Sequence, residues 1–399
     1  MPGRKKGEKN MLSLTAEELM LCDTVYKWAE NYLGPKQEAI DEEDKLPEDF
    51  FKQLAGLGIL GITLGEAYGG AGQGILMQTL AVEQIARLSP ALSMSYAAHS
   101  NLCANNIYKN GNESQRQKFL PPMCTGDAIG ALCLTEPGAG SDALGGMRTT
   151  AKKSGDKYIL NGTKMFITNG TVAKTHLVYA KTAPERGAHG ISAFIVDAES
   201  KGVTVSKKLR KCGMRGSPTV ELSYEDVEVP AENLLLEENM GVHIVTSGLA
   251  YERITLSGNS LGTAEQGLQY SIKYAKEREQ FGKHLCEFEM IQAKLADMYC
   301  LVEASRGLVY NAARFADGPG GKKGGKGTVL DKLAAAAILF AAESATKVCC
   351  DGVQIHGGYG YCLEYPIQKL WRDAKLLEIG AGTSEIRRII IARELCRDR

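Results

Sequence analysis

The apolar pattern of this chain changes its period twice, and that restricts the folds open to it more than any single motif. From Ser13 to about Met123 the spacing is helical. Thr15-x-x-Glu18 spells a capping box at the head of LTAEELMLCDTVYKWAENYL, and MQTLAVEQIARL resumes the pattern after the Gly-rich break EAYGGAGQG at 66–74. From about Ala131 to Asn239 the runs shorten to strand length in KYILNGTKMFITNG, HLVYAKT, ISAFIVD, GVTVSKKL and TVELSYEDVEVP. Asn-Gly pairs at 161–162 and 169–170 read as turns within them. From Gly241 onward long Ala- and Leu-rich helical segments return, broken by DGPGGKKGGKG, a Gly/Lys stretch at 317–327 that reads as a mobile surface loop. The predicted fold is α+β. A disordered start at 1–12 precedes an N-terminal α-helical domain at 13–130, a middle β-sandwich or barrel domain at 131–240 and a C-terminal four-helix bundle at 241–399.

Composition excludes several function classes. A chain of 399 residues calls for two or three folding units, and its formal net charge of zero gives no global pull toward nucleic acid or an anionic membrane. No uninterrupted apolar run reaches the roughly eighteen residues of a membrane span. The head MPGRKKGEKN is basic but lacks the apolar core of a signal peptide. Eleven cysteines without a CxxC pair fit reduced thiols in a reducing compartment, and six histidines without HExxH or similar spacing give no metal site.

Four local features carry chemistry. PGAGSDA at 137–143 has the spelling of a dinucleotide fingerprint, but strands follow it where a helix is required; it reads as a β-turn, or as glycines that let backbone approach a pyrophosphate. FITNG at 166–170 puts Phe166 and Thr168 two apart on a strand, either as core ring and exposed hydroxyl or as a face for a flat cofactor. His356, in QIHGGYGY, sits among glycines where a backbone approaches something closely or simply turns. In GVHIVTSGLAYERITLSGNSLGTA, Glu252 and Arg253 are the only formal charges on an otherwise apolar and small-residue helix. Neighbours in sequence do not face each other on a helix, so Glu252 is either paired with a distant cation or is a base whose proton affinity burial raises.

Five segments in order, LCLTEPGAGSD at 132–142, KMFITNG at 164–170, REQFGK at 278–283, QIHGGYGY at 354–361 and RDAKLLEIGAGTSEIRR at 372–388, resemble the acyl-CoA dehydrogenase family over essentially the whole chain. The resemblance implies FAD as cofactor, an acyl-CoA substrate, electron-transferring flavoprotein as acceptor and a homotetramer, cytoplasmic in a bacterium or in the mitochondrial matrix of a eukaryote. The family's usual base lies in Tyr-Glu-Gly-Thr, where this chain reads Gly380-Ala381-Gly382-Thr383. In the isovaleryl-CoA and long-chain branches the base comes from a neighbouring helix, at a position matching Glu252. The resemblance therefore implies Glu252 as catalytic base, with the Ala381 N–H on the thioester carbonyl. It puts Leu134, Thr135, Gly140, Ser141, Phe166 and Thr168 on FAD, with Thr383 and Glu385 on its adenosine side. Arg278, Phe281, Gln354 and Gly358 would reach FAD from a neighbouring subunit. Ser141, Tyr251, Arg253, Gly380, Ala381 and Gly382 would contact substrate. Gly380, in place of a Tyr common in straight-chain enzymes, implies a short branched acyl group. Ala250, where that branch tends to carry Asp, leaves room for a bulkier aromatic or substituted succinyl-CoA. An oxidase and a non-catalytic acyl-CoA-binding homologue are the competing readings.

Overall fold

The computed structural model describes residues 14–321 and 327–397, so the start at 1–12 and the Lys-rich centre of the 317–327 segment lie outside the described residues. The N-terminal part is helical: α1 (Ala16–Tyr32), α2 (Gln37–Glu43), α3 (Phe50–Gly56), α4 (Ile75–Leu88), α5 (Pro90–Ala97), α6 (Asn106–Asn110) and α7 (Glu113–Cys124). Helix α1 starts at the predicted box, where the Glu18 amide donates to Thr15 Oγ1 (3.2 Å) and the Thr15 amide donates to Glu18 Oε2 (2.7 Å). A π-helical stretch, Ala98–Asn105, joins α5 to α6. Such wide turns are rare and frequently lie at functional sites.

The middle part is a mixed sheet of β1 (Ile129–Cys133), β2 (Thr150–Ser154), β3 (Lys157–Thr168), β4 (Ala173–Lys181), β5 (Ile191–Asp197), β6 (Val203–Lys208), β7 (Thr219–Pro230) and β8 (Leu234–Leu235). The strands run in the order β6-β7-β3-β2-β4-β5-β8, with β1 parallel to β4. The link between β2 and β4 is the single pair Thr150–Lys181, and there the path folds over. Tyr158, Leu222 and Tyr224 from one half then share a core with Val178, Phe194 and Val196 from the other, the sandwich expected from the strand pattern. Asn161-Gly162 departs from the expectation: it is not a turn but lies inside β3, at a register shift. Gly162 has φ +154° there, and a Cβ would strike Thr149, so the strand passes only because the residue is glycine.

The C-terminal part begins with α8 (Gly241–Glu277), a single helix of 37 residues and so roughly 55 Å long. A tight hairpin, β9 (Glu279–Gln280) and β10 (Lys283–His284), turns at Phe281 and Gly282, both left-handed (φ 53° and 76°), the geometry that matches strand twist. Then follow α9 (Glu289–Asp317), α10 (Val329–His356), α11 (Pro366–Leu377) and α12 (Ser384–Leu395). Helices α8 to α11 form the bundle. Fully buried alanines 264, 313, 334, 337, 341 and 345 let the helices approach closely. The Val329–Tyr361 span is, by length and composition, apolar enough to cross a membrane, although Asp331, Lys332, Glu343 and Lys347 interrupt it; in this fold 56% of its most apolar window is buried inside the protein.

The 317–321 stretch is also not the free loop expected. Helix α9 continues to Asp317, Pro319–Gly321 form a helical turn, and Gly321 is buried with its carbonyl accepting the Tyr251 hydroxyl at 2.7 Å. Asp317 caps α4 from across the structure, accepting the amides of Ile75 (2.6 Å) and Leu76 (3.0 Å). A second tie between the helical parts is a buried ion cluster. Arg306 on α9 donates to Glu83 on α4 (3.0 Å) and Glu265 on α8 (2.8 Å), and the Tyr310 hydroxyl donates to Glu83 at 2.9 Å.

Candidate active site

Glu252 lies in the first half of α8, only 7% exposed, with Oε2 buried and without a hydrogen-bond partner. Burial pushes its carboxyl up to about 7, against the opposing pull of the Arg253 and Arg387 guanidinium groups. Arg253 is not its counter-ion. That guanidinium donates to Asp331 on α10 at 2.8 Å and, through Nε, to the Ala381 carbonyl at 3.3 Å. Among the described residues no ion pair or hydrogen bond to a cation reaches Glu252, and the Arg253 and Arg387 guanidinium groups act on it only at longer range. The approach of the helix is set by a glycine: a Cβ at Gly248 would fall on the Asn106 side chain of α6.

Arg253 and Arg387, the two guanidinium groups that act on Glu252, both hold the turn between α11 and α12. The Gly380 amide donates to the Leu376 carbonyl at 2.9 Å, Ala381 and Gly382 both take left-handed φ (57° and 90°), and Thr383 caps α12 by accepting from the Ile386 amide at 3.4 Å. Arg387, fully buried, donates to the Leu377 (2.7 Å) and Gly380 (2.6 Å) carbonyls. Three carbonyls of this segment are thus held from behind, while the Ala381 and Gly382 amides donate to nothing among the described residues. They are free to receive an oxygen. A Cβ at Gly380 would meet only the Leu376 carbonyl oxygen, at 3.6 Å, which leaves open space over that position. Arg387 escaped the sequence reading because nothing local distinguishes it from Arg388 beside it.

On the sheet side, Leu134 and Thr135 lie just past β1, and the Thr135 carbonyl accepts the Met165 amide at 2.8 Å, joining the PGAGSD loop to FITNG. The junction is locked by a buried pair that sequence reasoning missed. Lys164 donates to Glu136 at 2.9 Å, and Glu136 also accepts the amides of Arg148 (2.6 Å) and Thr149 (2.9 Å). The loop between these anchors leaves Gly138 and Gly140 with no neighbouring atom within reach of a Cβ, and Ser141 exposed. Strict alternation along the strand fails at Phe166. The register shifts between Lys164 and Ile167, Phe166 takes φ +61°, and the residue is 64% exposed. Such strain on an exposed aromatic residue is a feature of binding surfaces. Thr168, half-buried, and Thr135 make no side-chain hydrogen bond among the described residues. An exposed ring, two unused hydroxyls and an open glycine loop suit a flat heterocycle carrying phosphates. Leu134 and Leu144 pack with Tyr179, Ile244 and Val245, which brings this face to the N-terminal part of α8.

The remaining predicted residues are elsewhere. Roughly 38 Å of α8 separates Glu252 from the helix end at Glu277. Beyond it lie Arg278 and Phe281, the latter 94% exposed at the hairpin tip. Arg278 and exposed Gly358, just past the end of α10, line a cleft of about 480 Å³ with Tyr274 and His356, whose rings stack at 4.2 Å, while Gln354 is exposed in the last turn of α10. One chain does not bring this group to Glu252. Tyr251 is buried beside Glu252 in sequence, with Lys109 Nζ 3.1 Å over its ring, and Glu385 is exposed in the first turn of α12. No cluster of metal-ligating side chains occurs among the described residues, and all eleven cysteines are free thiols.

Comparison with known proteins agrees with this layout. Residues 15–127, 131–227 and 239–396 match the N-terminal, middle and C-terminal domains of acyl-CoA dehydrogenase. The chain is 46% identical over 384 residues to the mitochondrial isovaleryl-CoA dehydrogenase of Pongo abelii, covering 95% of this chain and 89% of that protein. Among solved structures, butyryl-CoA dehydrogenase from Megasphaera elsdenii superposes with a TM-score of 0.92 at 40% identity, over 96% of this chain and 99% of that one. A glutaryl-CoA dehydrogenase from Mycobacterium smegmatis in complex with FADH2 gives 0.90 at 30% identity, over 98% and 96%.

Proposed function

The chain belongs to the acyl-CoA dehydrogenase family, and from that premise we propose that it is an FAD-dependent enzyme that introduces a 2,3-double bond into a short branched acyl-CoA, with Glu252 as the base. The observation that carries this is a buried carboxylate without a partner among the described residues, together with a turn, held by the two guanidinium groups that act on it, whose Ala381 and Gly382 amides donate to none of those residues. Glu252 takes the α-proton of the thioester onto Oε2. Abstraction from so weak a carbon acid requires the developing charge on the thioester oxygen to be held, and the Ala381 amide does this from a turn already fixed by Arg387 and Arg253. Burial of the carboxylate keeps water from competing for the proton. FAD, when bound, supplies the two-electron acceptor for the β-hydrogen. Phe166, Thr135, Thr168 and the Gly138–Ser141 loop would hold it. Arg278, Phe281, Gln354 and Gly358, too far along α8 to serve their own site, would serve that of another subunit in a homotetramer. Electron-transferring flavoprotein is the acceptor the family resemblance supports, and the isovaleryl-CoA dehydrogenase relative is mitochondrial.

Two observations support a branched acyl chain: the open space over Gly380 and the similarity to isovaleryl-CoA dehydrogenase. Ala250, the hint of a bulkier substrate, is wholly buried in the bundle core and presents no surface to an acyl group. Anaerobic titration of the yellow protein with a panel of acyl-CoAs tests the reading. Bleaching that is fast with isovaleryl-CoA and slower with butyryl- and octanoyl-CoA is expected. Bleaching only by an aromatic or dicarboxylic acyl-CoA would replace the substrate, and bleaching by none would overturn dehydrogenation.

A further inference from the structure

We propose that Arg387 is a positioning residue for the reaction, joining two tasks in one side chain: it fixes the Gly380–Gly382 turn through two carbonyls and supplies the positive charge that keeps Glu252 ionisable in a buried site. The inference rests on Glu252 being the base. Arg387 has no exposed surface, yet no carboxylate pairs with it among the described residues. Two of its hydrogen bonds, to the Leu377 and Gly380 carbonyls, are spent on the segment that presents the Ala381 amide. Its Nε and Nη1 are buried without partners among the described residues, as is Glu252 Oε2. A buried guanidinium with unused donors is costly and needs a compensating anion near it.

The charges around the pair identify that anion. Around Glu252 the cations are Arg253 from its own helix and Arg387 from α12, with the Tyr179 hydroxyl of β4 as a neutral neighbour. Around Arg387 are Arg253 from α8, Glu252, Glu343 on α10 and Glu378 just after α11. Arg253 is bound at 2.8 Å to Asp331, and Arg388 takes Glu343 at 2.7 Å. Glu378 is taken by Lys375 at 2.7 Å. Among the described residues this leaves the Arg387 guanidinium without a carboxylate partner and the Glu252 carboxylate without a cation bound to it. Loss of Arg387 would therefore remove the one opposing charge acting on Glu252 that, among the described residues, is not already spent on a carboxylate, and the base would hold its proton to higher pH.

The test is the pH profile of anaerobic flavin bleaching by isovaleryl-CoA in Arg387→Gln and Arg387→Lys holoenzymes, with Glu252→Gln run beside them. One nearby cation is worth about one to three pH units to a carboxylate. A rise of about one to two units from neutrality cuts the ionised base at pH 7 by about five- to fiftyfold. Arg387→Gln should show that loss at pH 7 and regain most of it by pH 9. Arg387→Lys, which keeps charge but cannot span both carbonyls, should keep the wild-type acid limb with a severalfold lower rate above it. A pH-independent loss in Arg387→Gln, or an unmoved acid limb, overturns the proposal. If Arg387→Gln does not retain FAD, Arg387→Lys decides: an acid limb moved upward, or a wild-type rate at every pH, overturns it. Wild-type bleaching by Glu252→Gln would instead sink the assignment of the base, a separate outcome.

Discussion

Replacing Glu252 with glutamine should stabilise the protein above neutral pH, because the structure holds this carboxylate at a cost. An ordinary glutamate carboxyl ionises near 4.5, and burial lifts that of Glu252 to about 7. Between those values the folded protein binds a proton that the unfolded chain releases, so stability falls as pH rises through the window and the cost is complete above about pH 7. At about 1.4 kcal/mol for each tenfold step in proton affinity, the gap amounts to about 3 kcal/mol. Glutamine is neutral and nearly isosteric, and escapes it. The FAD-loaded variant and wild type should therefore differ by about 3 kcal/mol in urea unfolding at pH 8. At pH 5, where the native carboxyl is protonated and most of the cost is gone, they should differ by under about 1 kcal/mol. A variant no more stable than wild type at pH 8, or a difference that does not shrink on acidification, would refute the claim that Glu252 is buried and unpaired. A general base selected for stability would not be placed this way; trading stability for activity at such a site is common.

Two further substitutions probe the site. Gly380→Tyr should fold, since the position has ordinary backbone and open space above it, and should slow isovaleryl-CoA at least tenfold more than butyryl-CoA; equal losses in flavin bleaching would remove Gly380 as the selectivity element. Lys164→Met strands Glu136 in the core, so about 3–5 kcal/mol of stability and much of the FAD content should be lost together, read by thermal unfolding and by the ratio of flavin to protein absorbance. Retention of both would mean that the pair does not set the PGAGSD loop.

Much of this fold was legible because it rests on local chemistry. The capping box at Thr15 and Glu18 formed as spelled, and the two changes of period mark the sheet between helical parts. Glu252 drew notice as a carboxylate among glycines and apolar residues, which is a physical anomaly visible in one line of sequence. What stayed hidden depends on contacts distant in the chain. Glu136 after β1 meets Lys164 on β3, Glu83 on α4 meets Arg306 on α9, and Arg387, whose charge acts on Glu252, lies on a helix more than a hundred positions later. Phe166 was placed by simple alternation, which a bulge then broke. Asn161-Gly162 has turn chemistry but was used to let β3 pass Thr149. The glycines at 318–321 looked disordering, yet Gly321 is packed under Tyr251, and only the tertiary contact decides between those outcomes.

The central claim is that the Glu252 carboxylate takes the α-proton, and the most direct measurement is anaerobic stopped-flow flavin reduction by isovaleryl-CoA in Glu252→Gln. The variant should remain yellow, with full FAD, and should bleach at least a hundredfold more slowly than wild type, the usual size of a general base's contribution. Bleaching at the wild-type rate would place the base elsewhere and contradict the account.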